Sequence, residues 1–148
     1  GVEGALMGLD RGEKTIGVAV SDTRQTVATG IKTIKRTKFQ KDLTILTQVI
    51  LGRDIRGVIL GLPKNMNGSE GPKCQSTRAF AKNISLTVPL PITFWDERLS
   101  TVAAERSLIE ANASRRRRAE VIDYVAASFI LQGVLDRVSA IKMKGLNS

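Results

Sequence analysis

Three acidic residues of this sequence lie where a charged side chain costs free energy. Asp10 ends an apolar run, Glu97 follows the strand-like segment at 91–95, and Asp123 lies within an apolar helical pattern. An unpaired carboxylate in such surroundings costs several kcal/mol, so it needs a cation, a metal ion or a water-filled site. Three carboxylates gathered at one sheet edge would suit Mg²⁺ or Mn²⁺, which prefer oxygen ligands. Two such ions about 3.5–4 Å apart can hold the attacking and leaving oxygens of a phosphodiester.

Each acid also has a structural interpretation, and the residues alone leave both interpretations open. Asp10 could cap the Gly-containing turn that follows it. Glu97 and Asp123 could instead form ion pairs with nearby arginines. The arginines that the sequence offers are Arg98 and Arg106 for Glu97, and the basic run at 115–118 for Asp123.

The charge balance and the residue types that are missing narrow the chemistry further. The chain carries 23 lysines and arginines against 14 acidic residues, and this net charge of +9 favours a polyanion such as nucleic acid. It has no histidine and a single cysteine. This excludes Ser-His and Cys-His catalysis, histidine-containing metal sites, zinc ribbons and iron–sulfur clusters. Any chemistry must therefore be carried by carboxylates, lysines and hydroxyls.

Composition also predicts the class of protein. With 148 residues, 42% of them hydrophobic and 25% charged, one globular domain over residues 1–148 is expected. The lone Cys74 cannot form an internal disulfide. Together with the lack of a signal-peptide pattern, this favours a cytoplasmic location. No membrane span is expected.

The hydrophobic pattern predicts an α/β protein that begins with a hairpin. Apolar and small residues alternate after a Gly-containing turn, so residues 5–22 are predicted to form two antiparallel strands. Asp22 and Asp96 are interpreted as turn or cap residues. The sheet is expected to become parallel through helical crossovers. The remaining predicted elements are strands at 28–36, 57–62 and 91–95, and helices at 38–51, 72–86, 101–112 and 119–138. Residues 1–4 are predicted to be a loose lead-in and residues 139–148 a flexible tail.

Four segments of the chain, taken in order, resemble the motifs of the YqgF (RuvX) family. The first contains Asp10, the second is a Gly-rich loop, the third contains Glu97 and the fourth contains Asp123. The segments are MGLDRGEKTIGVAVSD at 7–22, GLPKNMNGSEG at 61–71, FWDERLST at 94–101 and VIDYVAASFILQ at 121–132. The resemblance covers about residues 5–137.

This resemblance implies an RNase H-like α/β fold. Its five-stranded mixed sheet would have three antiparallel strands followed by two parallel ones, and it would be flanked by helices. It also implies a metal-dependent endonuclease that matures the 5′ end of pre-16S rRNA, with a Holliday junction resolvase acting on branched DNA as the alternative. Asp10, Glu97 and Asp123 would be the catalytic residues and the ligands of Mg²⁺ or Mn²⁺. The implied partners are structured RNA or branched DNA and the ribosome, but no membrane, and both monomer and homodimer stay open.

The resemblance further implies a set of nucleic-acid contacts, drawn from a turn, the Gly-rich loop and two basic segments. These residues are Lys14, Asn65, Asn67, Gly68, Arg98, Arg115, Arg116, Arg117 and Arg118. Two positions depart from the family pattern, because Glu13 replaces a threonine and Asn67 replaces an aspartate. Neither departure removes an implied metal ligand, but Glu13 adds negative charge near the site and could weaken a phosphate contact.

Two other functions compete with a nuclease. A non-catalytic RNA-binding assembly factor could use the same basic surface, although pure binding would not need the three acids. A nucleotide phosphotransferase is the second, because Asp10 with Gly12 and Lys14 resembles the phosphate loop of actin-like ATPases. Those enzymes close two such domains around a nucleotide, and 148 residues hold one.

Overall fold

A computed structural model describes the backbone of residues 4–99 and 115–146, and the side chains of residues 4–99 and 124–144. The helix predicted at 101–112 lies outside the described residues. Of the predicted lead-in at 1–4, only Gly4 is described, and it is buried rather than loose. Its backbone N–H donates a hydrogen bond to the carbonyl of Thr23 at 3.1 Å.

Five strands form one mixed sheet. They are β1 (Ala5–Arg11), β2 (Thr15–Ser21), β3 (Ala28–Lys35), β4 (Ile55–Leu62) and β5 (Ile92–Asp96). Their order in the sheet is β3-β2-β1-β4-β5. The first three strands are antiparallel, and β1, β4 and β5 are parallel. This confirms the predicted hairpin and the predicted mixed sheet.

Within residues 4–99 and 115–146, three helices flank the sheet: α1 (Phe39–Gly52), α2 (Pro72–Ser85) and α3 (Arg115–Leu146). A 3-10 turn, Glu97–Leu99, follows β5 directly. The predicted bounds of the last helix, 119–138, were wrong at both ends, and helix continues where a flexible tail was expected. Arginine, lysine, alanine and methionine are good helix formers, so both flanks extend the helix despite losing the apolar pattern.

The two faces of the sheet carry separate cores. Met7 and Leu9 of β1 pack with side chains of α1 and α2, whereas Leu6 packs with the core of α3. Because side chains alternate along a strand, Gly8 and Asp10 also lie on the α3 face. Asp10 therefore belongs to the same side of the sheet as the last helix.

Glycine allows α3 to lie very close to the sheet. A Cβ atom built on Gly8 would lie 2.8 Å from Cβ of Leu131 and 3.2 Å from the carbonyl oxygen of Ala127. On β3, at one edge of the sheet, a Cβ atom on Gly30 would lie 2.6 Å from Cδ1 of Tyr124 on the same helix. The α3 backbone therefore lies so close to the sheet that only glycine fits at these strand positions.

The segment Tyr124–Lys144 of α3 is long and apolar enough, by length and composition alone, to cross a membrane. Core helices meet the same criterion. Several of its residues are buried against the sheet, as in a core helix: Ala126, Ala127, Ile130, Leu131 and Leu135.

The turn after β2 is held by Asp22, as predicted. Its carboxylate accepts hydrogen bonds from Thr26 Oγ1 at 2.6 Å, from Thr26 N at 2.8 Å and from Val27 N at 2.9 Å. These bonds, chiefly the one from the Thr26 hydroxyl, lower the pKa of Asp22 to about 2. Asp22 is therefore a structural acid.

We expect Gly8→Ala to lower the free energy of unfolding by about 1–3 kcal/mol, because the added methyl group forces α3 away from β1. Urea unfolding followed by the fluorescence of Trp95, the single tryptophan, measures this. The control is Gly52→Ala, since nothing lies within 4 Å of a Cβ there. If both substitutions change the free energy of unfolding equally, the close contact of α3 with Gly8 is contradicted.

Acid should weaken the Asp22 turn in a defined range. The carboxyl has a pKa of about 2 in the fold and about 3.9 in an unfolded chain, so its bonds stabilise the fold fully above about pH 4. This stabilisation is lost as the pH falls from about 4 through about 2. We expect Asp22→Asn to flatten the pH dependence of the free energy of unfolding over that range, and unfolding curves at each pH test it. An unchanged slope would contradict the assignment.

Candidate active site

Asp10 lies near the carboxyl end of the central strand, on the α3 face. The parallel register pairs Leu9 of β1 with Leu60 of β4, so Asp10 is next to Gly61 across the strand pair. Asp10 is buried, with 7% of its surface exposed. Strand ends of this kind are where ligands bind in open α/β sheets.

Glu97 reaches the same place from the 3-10 turn after β5. Its Oε1 atom lies 2.9 Å from the point where a Cβ of Gly61 would be, and its Cγ lies 3.3 Å from that point. Neighbouring strands are about 4.8 Å apart, so the Glu97 carboxylate is one strand away from Asp10. The structure therefore brings two of the three predicted acids to one edge of the sheet.

Asp123 lies on α3, and its side chain is outside the described part of the structure, as are the side chains of 115–118. Its backbone precedes that of Ala127 by one helical turn, and the Ala127 carbonyl meets Gly8. Among residues whose side chains are described, no three of His, Cys, Asp or Glu are grouped so that they could hold a metal ion. Within this part of the chain the site has two carboxylates.

Arg98 binds Asp96, so the two residues that flank Glu97 in the sequence are paired with each other. Its Nη2 lies 2.7 Å from Oδ2 of Asp96, and its backbone N–H donates to Oδ1 at 3.0 Å. The hydrogen bond from Arg98 lowers the pKa of the Asp96 carboxyl, and the same bond raises the pKa of Arg98. The prediction of Asp96 as a turn residue is confirmed, and Arg98 has a structural partner besides its predicted contact with nucleic acid.

The Gly-rich loop between β4 and α2 is ordered by its own polar side chains. Oδ1 of Asn67 accepts hydrogen bonds from the backbone N–H and the hydroxyl of Ser69, at 3.0 and 2.6 Å. Nδ2 of Asn65 donates to the same hydroxyl at 3.0 Å. Gly68 has a positive φ of 88°, which favours glycine. Asn65 and Asn67, two of the loop residues predicted to contact nucleic acid, are thus both bonded to Ser69.

The turn between β1 and β2 is braced from β3. Arg36, just after β3, donates from Nη1 to the carbonyls of Gly12 and Glu13, both at 2.8 Å. Lys14 is exposed in this turn, at the same edge of the sheet as Asp10. The side chain of Glu13 is exposed as well, so the departure from the family pattern adds a charge at the surface.

Sequence reasoning missed two residues of this region. Gly61 was given as part of a buried strand and as the first residue of a family segment, but not as a contact of Glu97, although a glycine inside a strand often marks a close approach of another group. Arg11 points to the other face, where Nη1 donates to Ser76 Oγ at 2.8 Å and Cζ lies 5.1 Å from the ring centroid of Phe80. Burial, and secondarily the charge of Arg36, lowers the pKa of Arg11.

Comparison with known proteins identifies the family. The model for RuvX, described as Holliday junction resolvase, matches residues 4–137. This chain belongs to the RuvX family. A relative from Ruegeria sp. (strain TM1040) is 67% identical over 138 residues, which is 93% of this chain and 88% of the relative. One from Rhodobacter capsulatus is 64% identical, over 92% of this chain and 86% of its own. Both are provisionally named pre-16S rRNA nucleases.

Solved structures confirm the fold. RuvC of Thermus thermophilus, in complex with a Holliday junction substrate, matches with a TM-score of 0.56 and 11% identity. The match covers 88% of this chain and 92% of RuvC. A second structure of the same protein gives a TM-score of 0.54 at 10% identity. The fold is RNase H-like, as the resemblance implied, and family and relatives make the chain a hydrolase of the nuclease class.

Gly61 offers a test of the site geometry. We expect Gly61→Ala to displace the Glu97 carboxylate and to reduce nuclease activity by about 100-fold, since small misplacements can cost that much. The added methyl group would also meet Cδ1 of Ile130 at 2.6 Å and destabilise the fold. Activity and the free energy of unfolding are both measured.

The double variant Gly61→Ala/Ile130→Val separates these effects, because valine lacks Cδ1. It should regain stability without regaining activity, and Ile130→Val alone is the matched control. Recovery of activity together with stability would show that the Glu97 contact is unimportant.

Proposed function

We propose that this chain is a metal-dependent endonuclease that matures the 5′ end of pre-16S rRNA. The observation that carries the proposal is the Glu97 carboxylate packed over Gly61, one strand away from Asp10, at the edge where ligands bind. Relatives that are 60–67% identical are provisionally named for this activity. The net charge of +9 suits a polyanionic substrate.

Asp10, Glu97 and Asp123 would hold the metal and form the catalytic centre. The fit is supported by the space above Gly61, which a Cβ would fill and which Glu97 uses to approach β4 and β1. Carboxylate oxygens are the donors that Mg²⁺ and Mn²⁺ prefer. When bound, such an ion lowers the pKa of water and stabilises charge on phosphate oxygens.

The residues of the chain would bind and orient the nucleic acid around this centre. Lys14 and the arginines at 115–118 would contact phosphates, and so would Asn65, Asn67 and Gly68 through the surface that their ordered loop presents. Arg98 would contribute to this surface while it remains bound to Asp96. Fixed positions matter because they remove the entropy cost of aligning a phosphodiester with the acids.

This function would be carried by a single domain in the cytoplasm, acting on ribosome precursors as a monomer or homodimer. Branched DNA is the second candidate substrate. The family description and the junction-bound RuvC structure favour it. The third candidate function is an assembly factor that binds RNA without cleaving it.

We expect Asp10→Asn, Glu97→Gln and Asp123→Asn each to reduce cleavage by at least about 100-fold, with the fold and RNA binding retained. The test follows a labelled pre-16S rRNA fragment and a four-way DNA junction in Mg²⁺ or Mn²⁺, with EDTA abolishing cleavage. Asp54→Asn is the control. Asp54 is exposed and pairs with Arg56, and it directly precedes β4, at the opposite end of that strand from Gly61.

Cleavage of the RNA alone would support maturation of rRNA, and cleavage of the junction alone would move the substrate to DNA. Tight RNA binding without metal-dependent cleavage by the wild type would overturn the nuclease. Full activity of all three acid variants would overturn the assignment of the site.

A further inference from the structure

Met66 is the most exposed of the large hydrophobic residues in the described part of the chain, with 93% of its surface accessible. It lies at the tip of the Gly-rich loop, within a turn closed by the backbone hydrogen bond from Gly68 N–H to the Asn65 carbonyl, at 2.9 Å. The side chains of Asn65, Asn67 and Ser69 bond to one another. Asn65 and Asn67 of this turn are exposed as well, and Met66 is its apolar side chain.

The loop is held at two points, by Arg98 of the turn after β5 and by Arg78 of α2. Nη1 of Arg98 donates to the carbonyl of Met66 at 3.2 Å, while the rest of the guanidinium binds Asp96. At the other end of the loop, Arg78 binds Glu70 through two contacts, at 2.6 and 2.8 Å. The backbone of Met66 is therefore bonded to the residue that follows Glu97.

A single exposed apolar residue usually needs no explanation. Leu51 and Leu86, each 79% exposed, are examples, and they lie at the ends of α1 and α2. Met66 differs because an ordered loop holds its backbone against the side chain of Arg98, the residue that follows Glu97. Leu99, which is also exposed, directly follows Arg98 in the turn after β5 and adds apolar surface there.

We propose that Met66 contacts the face of an unpaired base next to the phosphodiester that is cleaved. This rests on the proposed function, which it refines by naming a substrate contact. Proteins recognise RNA largely through unpaired nucleotides whose bases are splayed out, and apolar side chains can insert between base steps. A thioether is polarisable and flexible, so it can pack on bases of any identity. Met66 would then favour substrates with unpaired nucleotides at the cleavage site.

The test compares Met66→Ala, Met66→Leu and the control Leu51→Ala on two pre-16S rRNA fragments that differ in one respect. The nucleotides flanking the cleavage site are unpaired in one fragment and base-paired in the other. We expect Met66→Ala to lower kcat/KM about 5- to 10-fold on the unpaired fragment and less than twofold on the paired one. Leucine should restore most of the loss, and Leu51→Ala should match the wild type.

A second readout uses 2-aminopurine at the flanking position, bound by Asp10→Asn so that the RNA stays intact. Binding should change its fluorescence, and Met66→Ala in the same background should remove most of that change. Because Met66 is exposed, its substitution leaves the fold intact.

If the wild type cleaves the fragments and Met66→Ala has the same kcat/KM, this inference is overturned and the proposed function stands. The same holds if Met66→Ala loses kcat/KM equally on both fragments. A wild type that cleaves neither fragment would overturn the proposed function and this inference with it.

Discussion

The close packing of α3 on glycines of the sheet controls the geometry of the candidate site. Gly8 lies against Cβ of Leu131 and Gly61 lies against Cδ1 of Ile130, so helix side chains pack directly on the strand backbone at both places. Closely packed interiors transmit displacements instead of absorbing them. Since Glu97 shares the space above Gly61 with Ile130, the position of this carboxylate is linked to how closely α3 lies on β4.

Strand alternation places two opposite charges of β1 in different surroundings. Asp10 faces α3, whereas Arg11 faces α2, where it binds Ser76 and packs on Phe80. Neighbours along a strand point to opposite faces, so the side chains of this acid and this arginine lie on opposite sides of the sheet. The cation strengthens the contact between β1 and α2, and the carboxylate remains at the edge that Glu97 shares.

Much of this arrangement could be predicted from sequence, because local patterns determine it. The hairpin, the buried β4 and the structural roles of Asp22 and Asp96 follow from alternation and turn chemistry. The contact of Glu97 with Gly61 could not be predicted, since it depends on how β4 and β5 pair and on the direction of the turn after β5. The ends of α3 were missed because charged helix formers carry no apolar pattern there.

A basic residue near the site can either fix the shape of the loop or attract a polyanion, and the sequence does not show which of the two a given residue does. Arg98 pairs with Asp96 of β5 and also bonds to the Gly-rich loop at the Met66 carbonyl, and Arg78 pairs with Glu70 of that loop. Each pairing offsets an acidic charge nearby. Their main effect is then on the shape of the loop. Long-range attraction of a polyanion must come from other cations of this chain, such as the exposed Lys14. Loop geometry and salt-dependent affinity are thus carried by different residues, although both contribute to the same edge of the sheet.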